Sequence, residues 1–421
     1  MTARDCKRRV VVTGMGVIAP NGKDLVTFWE SIRDGRSAAA PLTRFPSDKL
    51  PSRVAAEVHD FDIGKYSDPK KGRRFDLSIQ YGLAAARLAM EDAKGDVVSR
   101  NPERVGIIEG TSVSGMESSF KGQTAFESNR GYRSMSPFTL INAYTGGGAG
   151  EIALELGIKG HAASYSSGSA SGNDVMGYAL RMIRDDEVDV MFAGGAEAPI
   201  LAPLWGAFCL MKVMSACNDA PGNAMKPFDV ARDGFVLGEG AAFLVLEELS
   251  HALSRGARIY AEIAGHGRAC EAYHSVAPHP DGIGTQRAME KALHDAGTTP
   301  SSVSYINAHG TATPANDAAE AKAIMTHFGV HAKRMAVSST KGVTGHLLAA
   351  AGALETVVTA LAIHHQVIPK TTNLVMPEAD CDLDLVVGQS RPYPIEVALN
   401  LSSGFGGKNS CLALKRFRSR P

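Results

Sequence analysis

"ARLAMEDAKGDVVSRNPERVGIIEGTS", Ala86–Ser112, and "QRAMEKALHDAGTTPSSVSYINAHGT", Gln286–Thr311, read alike along their whole length. Each runs from a helical pattern through a polar spacer into a short strand-like run and a turn. This is the signature of a duplicated α/β unit, with a seam near Ser250 to Ile259. Working outward, short β-branched runs alternate with long amphipathic patterns: "RRVVVTGMGV", "DVMFAGGAE" and "AAFLVLEEL" in the first half, "RIYAEIAGHG", "MAVSSTKG" and "SCLALKRF" in the second. That grammar predicts an α/β fold with buried strands. Two repeats are too few for a solenoid, and no low-complexity linker interrupts them.

The 421 residues carry 44 Lys+Arg and 44 Asp+Glu, so no global field attracts nucleic acid or a membrane surface. Any charged partner has to be met by a local patch. The six cysteines (Cys6, Cys209, Cys217, Cys270, Cys381, Cys411) show no paired spacing. With no signal peptide in evidence, a reducing, cytoplasmic setting is expected. "LLAAAGALETVVTALAI", Leu347–Ile363, approaches membrane-spanning length but holds Glu355 in its middle, which predicts a buried core helix.

"SYSSGSASGND", Ser164–Asp174, follows an apolar segment and runs straight into the helical pattern "VMGYALRMIRD". Small residues on both sides let the chain turn tightly and hold Ser169 outward at a helix N-terminus, as a nucleophile elbow does. Three further segments share one design, a strand-like run, then a polar residue, then glycine. They are "INAHGTATP" with His309, "VSSTKGVTGHLLAAAG" with Lys341 and His346, and "LNLSSGFGGKN" with Phe405. Strand C-terminal ends are where α/β proteins gather site residues. Metal binding is not favoured, because His309 and His346 have no third ligand in sequence.

On the blocks "NAHGTATPAND", "STKGVTGHLLAAAGALE", "KPFDVARDGFVLGEGA" and "GFGGKN", the chain resembles the β-ketoacyl-acyl carrier protein synthase II family of the thiolase-like superfamily. The resemblance covers nearly all of it. It implies a thiolase-like five-layer αβαβα fold of two related halves, residues 8–258 and 259–417. It also implies a ketosynthase that condenses an acyl chain with malonyl-carrier protein in fatty-acid or polyketide synthesis. No cofactor is implied beyond the phosphopantetheine that carries the substrates. The implied partners are an acyl carrier protein and, in a homodimer or heterodimer, a related ketosynthase or chain-length-factor subunit. No nucleic acid or membrane enters.

The family carries a cysteine at the elbow, and here Ser169 holds its place with Gly172 as the trailing glycine. A thiolate is both a good nucleophile and a good leaving group; a serine hydroxyl needs a dedicated base, and its ester is a poorer acyl donor. Ser169 is either a substitution that stalls the enzyme or the mark of a natural protein that has given up elongation. The resemblance further implies that His309 and His346 donate to the malonyl thioester oxygen. Lys341 is expected near His346, paired with Glu355. The backbone amides of Ser169 and Phe405 would form an oxyanion hole, and Phe405 would gate the malonyl side. Thr311 and Thr313 would bind the phosphopantetheine arm.

Val113 and Phe208 align with pocket-lining positions, and Ser403 replaces an aromatic of the family's gate, so the acyl preference is open. Val276 stands where relatives commonly carry threonine. Lys70, Lys71, Arg73 and Arg74 of "KKGRRFD", with Arg133 and Lys212, align with contacts to the acidic carrier protein, against the plainer reading of a solvated helix start. A non-elongating partner similar to a chain-length factor is the alternative function; the retained His309, His346 and Lys341 oppose it. A degradative thiolase would need a second catalytic cysteine in "GFGGKN", which has none.

Overall fold

The computed structural model describes residues 8–418. Its main sheet has 11 strands. In chain order they are β1 (Val10–Ile18), β2 (Val105–Gly110), β3 (Ala162–Tyr165), β4 (Val190–Glu197), β5 (Gly240–Glu248), β6 (Ala261–Cys270), β7 (Val303–Asn307), β8 (Ala336–Ser338), β9 (Asp384–Leu385), β10 (Val397–Gly404) and β11 (Lys408–Lys415). The spatial order is β9-β8-β7-β10-β11-β6-β1-β5-β4-β2-β3.

Read outward from the centre, the first half runs β1-β5-β4-β2-β3 and the second β6-β11-β10-β7-β8, with β9 added at its edge. Numbered within each half, both orders are first, fifth, fourth, second, third strand. The duplication seen in the sequence is therefore a duplication of topology. The halves are not separate sheets: β1 pairs antiparallel with β6 over Val10–Val12 and Ala261–Ile263, which joins them into one.

Five main helices build the layers: α1 (Leu77–Ala93), α2 (Ser171–Arg184), α3 (Ile283–Asp295), α4 (Pro314–Phe328) and α5 (Ala351–His365). α1 packs on β1, β4 and β5, and α3 packs on β6 and β11. α2 and α5 pack on each other and on strands of both halves, so they form the central layer. Three of the apolar clusters follow the same division, one under α1, one around α2 and α5, and one under α3 and α4.

Glycine sets the approach of strand to outer helix. A β-carbon at Gly16 in β1 would lie 2.1 Å from the Ala85 carbonyl oxygen of α1. At Gly267 in β6 it would lie 2.1 Å from the Ala288 oxygen of α3. The "GMG" and "GHG" of the two halves are thus the same device, a Gly-x-Gly strand against a helix face of alanines.

The apolar segment around Glu355 is α5, whose residues 351–363 are all buried. Among the described residues it belongs to the one helix, Leu348–His365, long and apolar enough to cross a membrane, and it is buried in the central layer instead. Cys6 lies outside the described residues; the other five cysteines are free thiols.

Candidate active site

The elbow is built from hydroxyls. β3 ends at Tyr165; the Ser167 amide donates to Ser171 Oγ (2.9 Å), and that hydroxyl donates to the Gly168 carbonyl (2.6 Å). Gly168 takes φ +67°, which turns the chain into α2 and presents Ser169 at its N-terminus. Gly172 is required one turn later, because a β-carbon there would lie 2.3 Å from the Ala353 amide of α5.

Ser169 Oγ lies 3.1 Å from His346 Nε2. The His346 ring meets His309 edge-on (centroids 5.4 Å apart) and Phe235 edge-on (5.3 Å). Both histidines are buried, and desolvation pushes both well below the usual imidazole value, so both are neutral at pH 7. Their tautomers follow from their surroundings. His309 Nδ1 faces Lys341 Nζ at 3.4 Å, and an ammonium only donates, so the His309 proton is on Nε2. His346 Nδ1 is buried with no partner among the described residues. A buried orphan N–H is rarer than a buried orphan acceptor, so its proton also belongs on Nε2. The site therefore holds two neutral N–H donors, and His346 donates to Ser169 rather than accepting its proton.

Lys341 is fully buried and ion-paired with Glu355 Oε1; its Nζ also donates to the His309 carbonyl at 2.6 Å. Burial pushes Glu355 up to about 7, with Lys341 pulling the other way. The expected pairing is present, but the lysine's hydrogen bonds fall on His309, not on His346. His309 follows β7, whose parallel partner β8 leads into the Lys341 turn, and this register brings the two together.

The lower wall was not evident from the residues. Glu320 of α4 accepts from the His309 amide (2.7 Å) and the Gly310 amide (2.8 Å), and burial pushes it up to about 7. Asp317 accepts from the Ala312 and Phe228 amides. Two acids spaced three apart, directly after "HGTATP", were the available signal.

A cavity of ≈ 500 Å³ opens on this group. Ser169, His309, His346, Thr311, Thr313, Ser403 and Phe405 line it, together with the apolar Val113, Leu204, Phe208, Met211, Phe235 and Leu348. Thr311 and Thr313 hydroxyls bond each other at 3.0 Å. Phe405 is 42% exposed, and Gly406 and Gly407 after it both take positive φ. A β-carbon on Gly404 would lie 3.2 Å from the Ser169 amide, so the end of β10 rests on the elbow. Ser403 Oγ donates to Asn409 Oδ1 at 2.8 Å. Phe208 and Cys209 sit in a helix, Ala202–Leu210, that puts Phe208 over Phe235.

The basic residues, exposed except for the half-buried Lys71, are not equivalent. Lys70 lies in the short helix Pro69–Gly72 and Arg73 follows it. Arg74 is stacked 5.2 Å over Phe138, Lys71 is paired with Glu155, and Arg133 sits over its neighbour Tyr132. Lys212 follows the cavity-lining Met211 at φ +54°. No group of three or more His, Cys, Asp or Glu among the described residues could hold a metal ion.

A duplicated, thiolase-like α/β frame that closes an elbow and two histidines around an apolar cavity defines the condensing-enzyme class. The comparisons make this specific. Residues 7–252 match the model of the β-ketoacyl synthase N-terminal domain, and residues 260–375 that of the C-terminal domain. The chain is 42% identical over 412 residues, covering 98% of it and 99% of the relative, to 3-oxoacyl-[acyl-carrier-protein] synthase 2 of Synechocystis sp.. Among solved structures it is similar to a chain of a type II PKS acyl-carrier protein complexed with its ketosynthase bound to the hexaketide (TM-score 0.90, 33% identity). It is likewise similar to a chain of the ishigamide ketosynthase/chain length factor (0.90, 34%); each match covers 98% of this chain and 100% of the other. The chain belongs to the β-ketoacyl synthase family, as a condensing enzyme of the synthase II type.

Proposed function

We propose that this protein takes malonyl-carrier protein, breaks the bond to its free carboxyl group, and stabilises the enolate left after carbon dioxide departs with the Nε2–H groups of His309 and His346. The electron pair of the broken bond becomes the enolate, whose negative oxygen the two donors face. Condensation then requires the enolate carbon to attack the carbonyl of an acyl group held on residue 169, with the residue's oxygen leaving as an alkoxide, bonded by the His346 Nε2–H, that takes its proton from water. With Ser169 that second stage is slow. The hydroxyl faces a donor rather than a base, and an alkoxide leaves less readily than a thiolate. The reading holds whether the serine arose by substitution or by descent.

The observation that carries it is the pair of neutral donors around an unactivated hydroxyl. No cofactor is needed, since each substrate arrives on the phosphopantetheine of its carrier protein, for which Thr311 and Thr313 stand at the cavity wall. The five free thiols fit a reducing compartment. A non-elongating partner role leaves His309 and Lys341 without a task.

The test is carbon dioxide release from malonyl-carrier protein with no acyl donor present. The parent chain should release it slowly, and His309→Ala should abolish the release. An alanine variant as fast as its parent removes His309 from the mechanism.

A further inference from the structure

We propose that Glu197, buried behind the cavity wall, is a positioning residue that sets which acyl chain lengths the cavity accepts, by fixing the Ser112–Val113 turn relative to the elbow. The inference rests on residue 169 being the acyl-accepting position of the proposed function. Glu197 closes β4 at 0% exposure and is not part of the catalytic group above. β2 and β4 run parallel with Gly110 opposite Gly195, so the turn that leaves β2 passes the Glu197 side chain. Its Oε1 accepts from the Ser112 amide (2.7 Å), the Val113 amide (3.2 Å) and Thr111 Oγ1 (2.5 Å). Its Oε2 accepts from Ser112 Oγ at 2.8 Å. A carboxyl group at a buried strand end is costly unless its oxygens are bonded, and donors from three consecutive residues meet that need.

The turn held this way is a face of the cavity, since Ser112 and Val113 line it together with Ser169. It is also tied to the elbow's own strand: the Thr111 amide donates to the Tyr165 carbonyl of β3 at 3.1 Å, shortly before Ser169. On its far side, Thr111 Oγ1 accepts from the Ser114 amide at 3.2 Å, and Ser114 Oγ meets Ser78 Oγ of α1 at 2.7 Å. Wall and acyl-bearing residue therefore share one scaffold, and the Glu197 side chain decides how far the wall stands into the cavity. Shifting such a wall by the width of a methylene changes which chains fit, and one methylene in an apolar pocket is worth about tenfold or more in rate. An acid that only satisfied buried amides would instead affect every chain length alike.

The test is made in Ser169→Cys, which supplies a loadable thiol, and reads by intact mass the rate of acylation from straight-chain acyl-pantetheine thioesters of increasing length. Adding Glu197→Asp draws the carboxylate back by roughly 1.5 Å, one carbon–carbon bond, and the turn with it. The ratio of long-chain to short-chain loading should then rise by about tenfold. Glu197→Gln keeps the reach: its carbonyl oxygen accepts from the two amides, its amide donates to Ser112 Oγ, and the ratio should stay that of Ser169→Cys alone. Thr111→Val removes one tie at a residue outside the cavity lining and should raise the ratio by a smaller factor. Thermal melts show which variants fold. A ratio unmoved in the folded variants, or moved as far by Glu197→Gln as by Glu197→Asp, overturns this inference alone. If Ser169→Cys itself takes no acyl group, the reading of residue 169 falls and the inference with it. Loading needs no malonyl-carrier protein, so this result and the carbon dioxide result can fail separately.

Discussion

At the scale of single residues, a buried ion pair is the clearest case of chemistry legible before structure. Glu355 amid apolar neighbours demanded a cation, and Lys341 meets it inside the core. Removing one partner strands the other's charge. Glu355→Ala should therefore cost about 3–5 kcal/mol in a denaturant titration, whereas Lys341→Met with Glu355→Leu should recover most of that. If the single variant costs no more than the double, the pair is not a coupled unit. Glu320 and Asp317 were less legible because they act on backbone amides, which carry no residue identity. The lysine's actual contact, His309, depends on strand register, which motif order alone does not give. His346 shows the same limit: which nitrogen carries its proton is decided by what Nδ1 lacks, a property of packing.

Between elements, the repeat was readable because helix, spacer and strand recur with their hydrophobic periods intact. The Gly-x-Gly strands explain why both halves keep the same geometry, with each outer helix backbone lying where a side chain would otherwise stand. Gly16→Val and Gly267→Val should each destabilise the protein by about 3 kcal/mol or more, through overpacking against main chain that cannot yield. Calorimetry checks this, and a variant that melts like its parent would show that the helices are free to move away. The pairing of β1 with β6 was not readable. β1 is apolar enough to sit anywhere in a sheet, and the Glu262, His266 and Arg268 of β6 single out no partner strand, so only the closed structure shows that the two meet.

For the whole molecule, the proposed function requires an acidic carrier protein to deliver two acyl groups to a chain of zero formal net charge. Lys70, Arg73 and Lys212 are exposed, so reversing their charges to Glu should leave the fold intact. Carrier affinity at low salt should fall by about tenfold or more, with the difference shrinking as screening shortens to about 8 Å at physiological ionic strength. Titration of an acidic carrier protein at two salt concentrations reads this; unchanged affinity at low salt moves the dock elsewhere. The most direct measurement of the account compares the parent with Ser169→Cys, each given an acyl-carrier protein and malonyl-carrier protein, with β-ketoacyl product and carbon dioxide followed together. The intact donors around a weak nucleophile predict condensation at least about a hundredfold faster in Ser169→Cys, while the parent still releases carbon dioxide slowly. Equal condensation rates in the two proteins would contradict it.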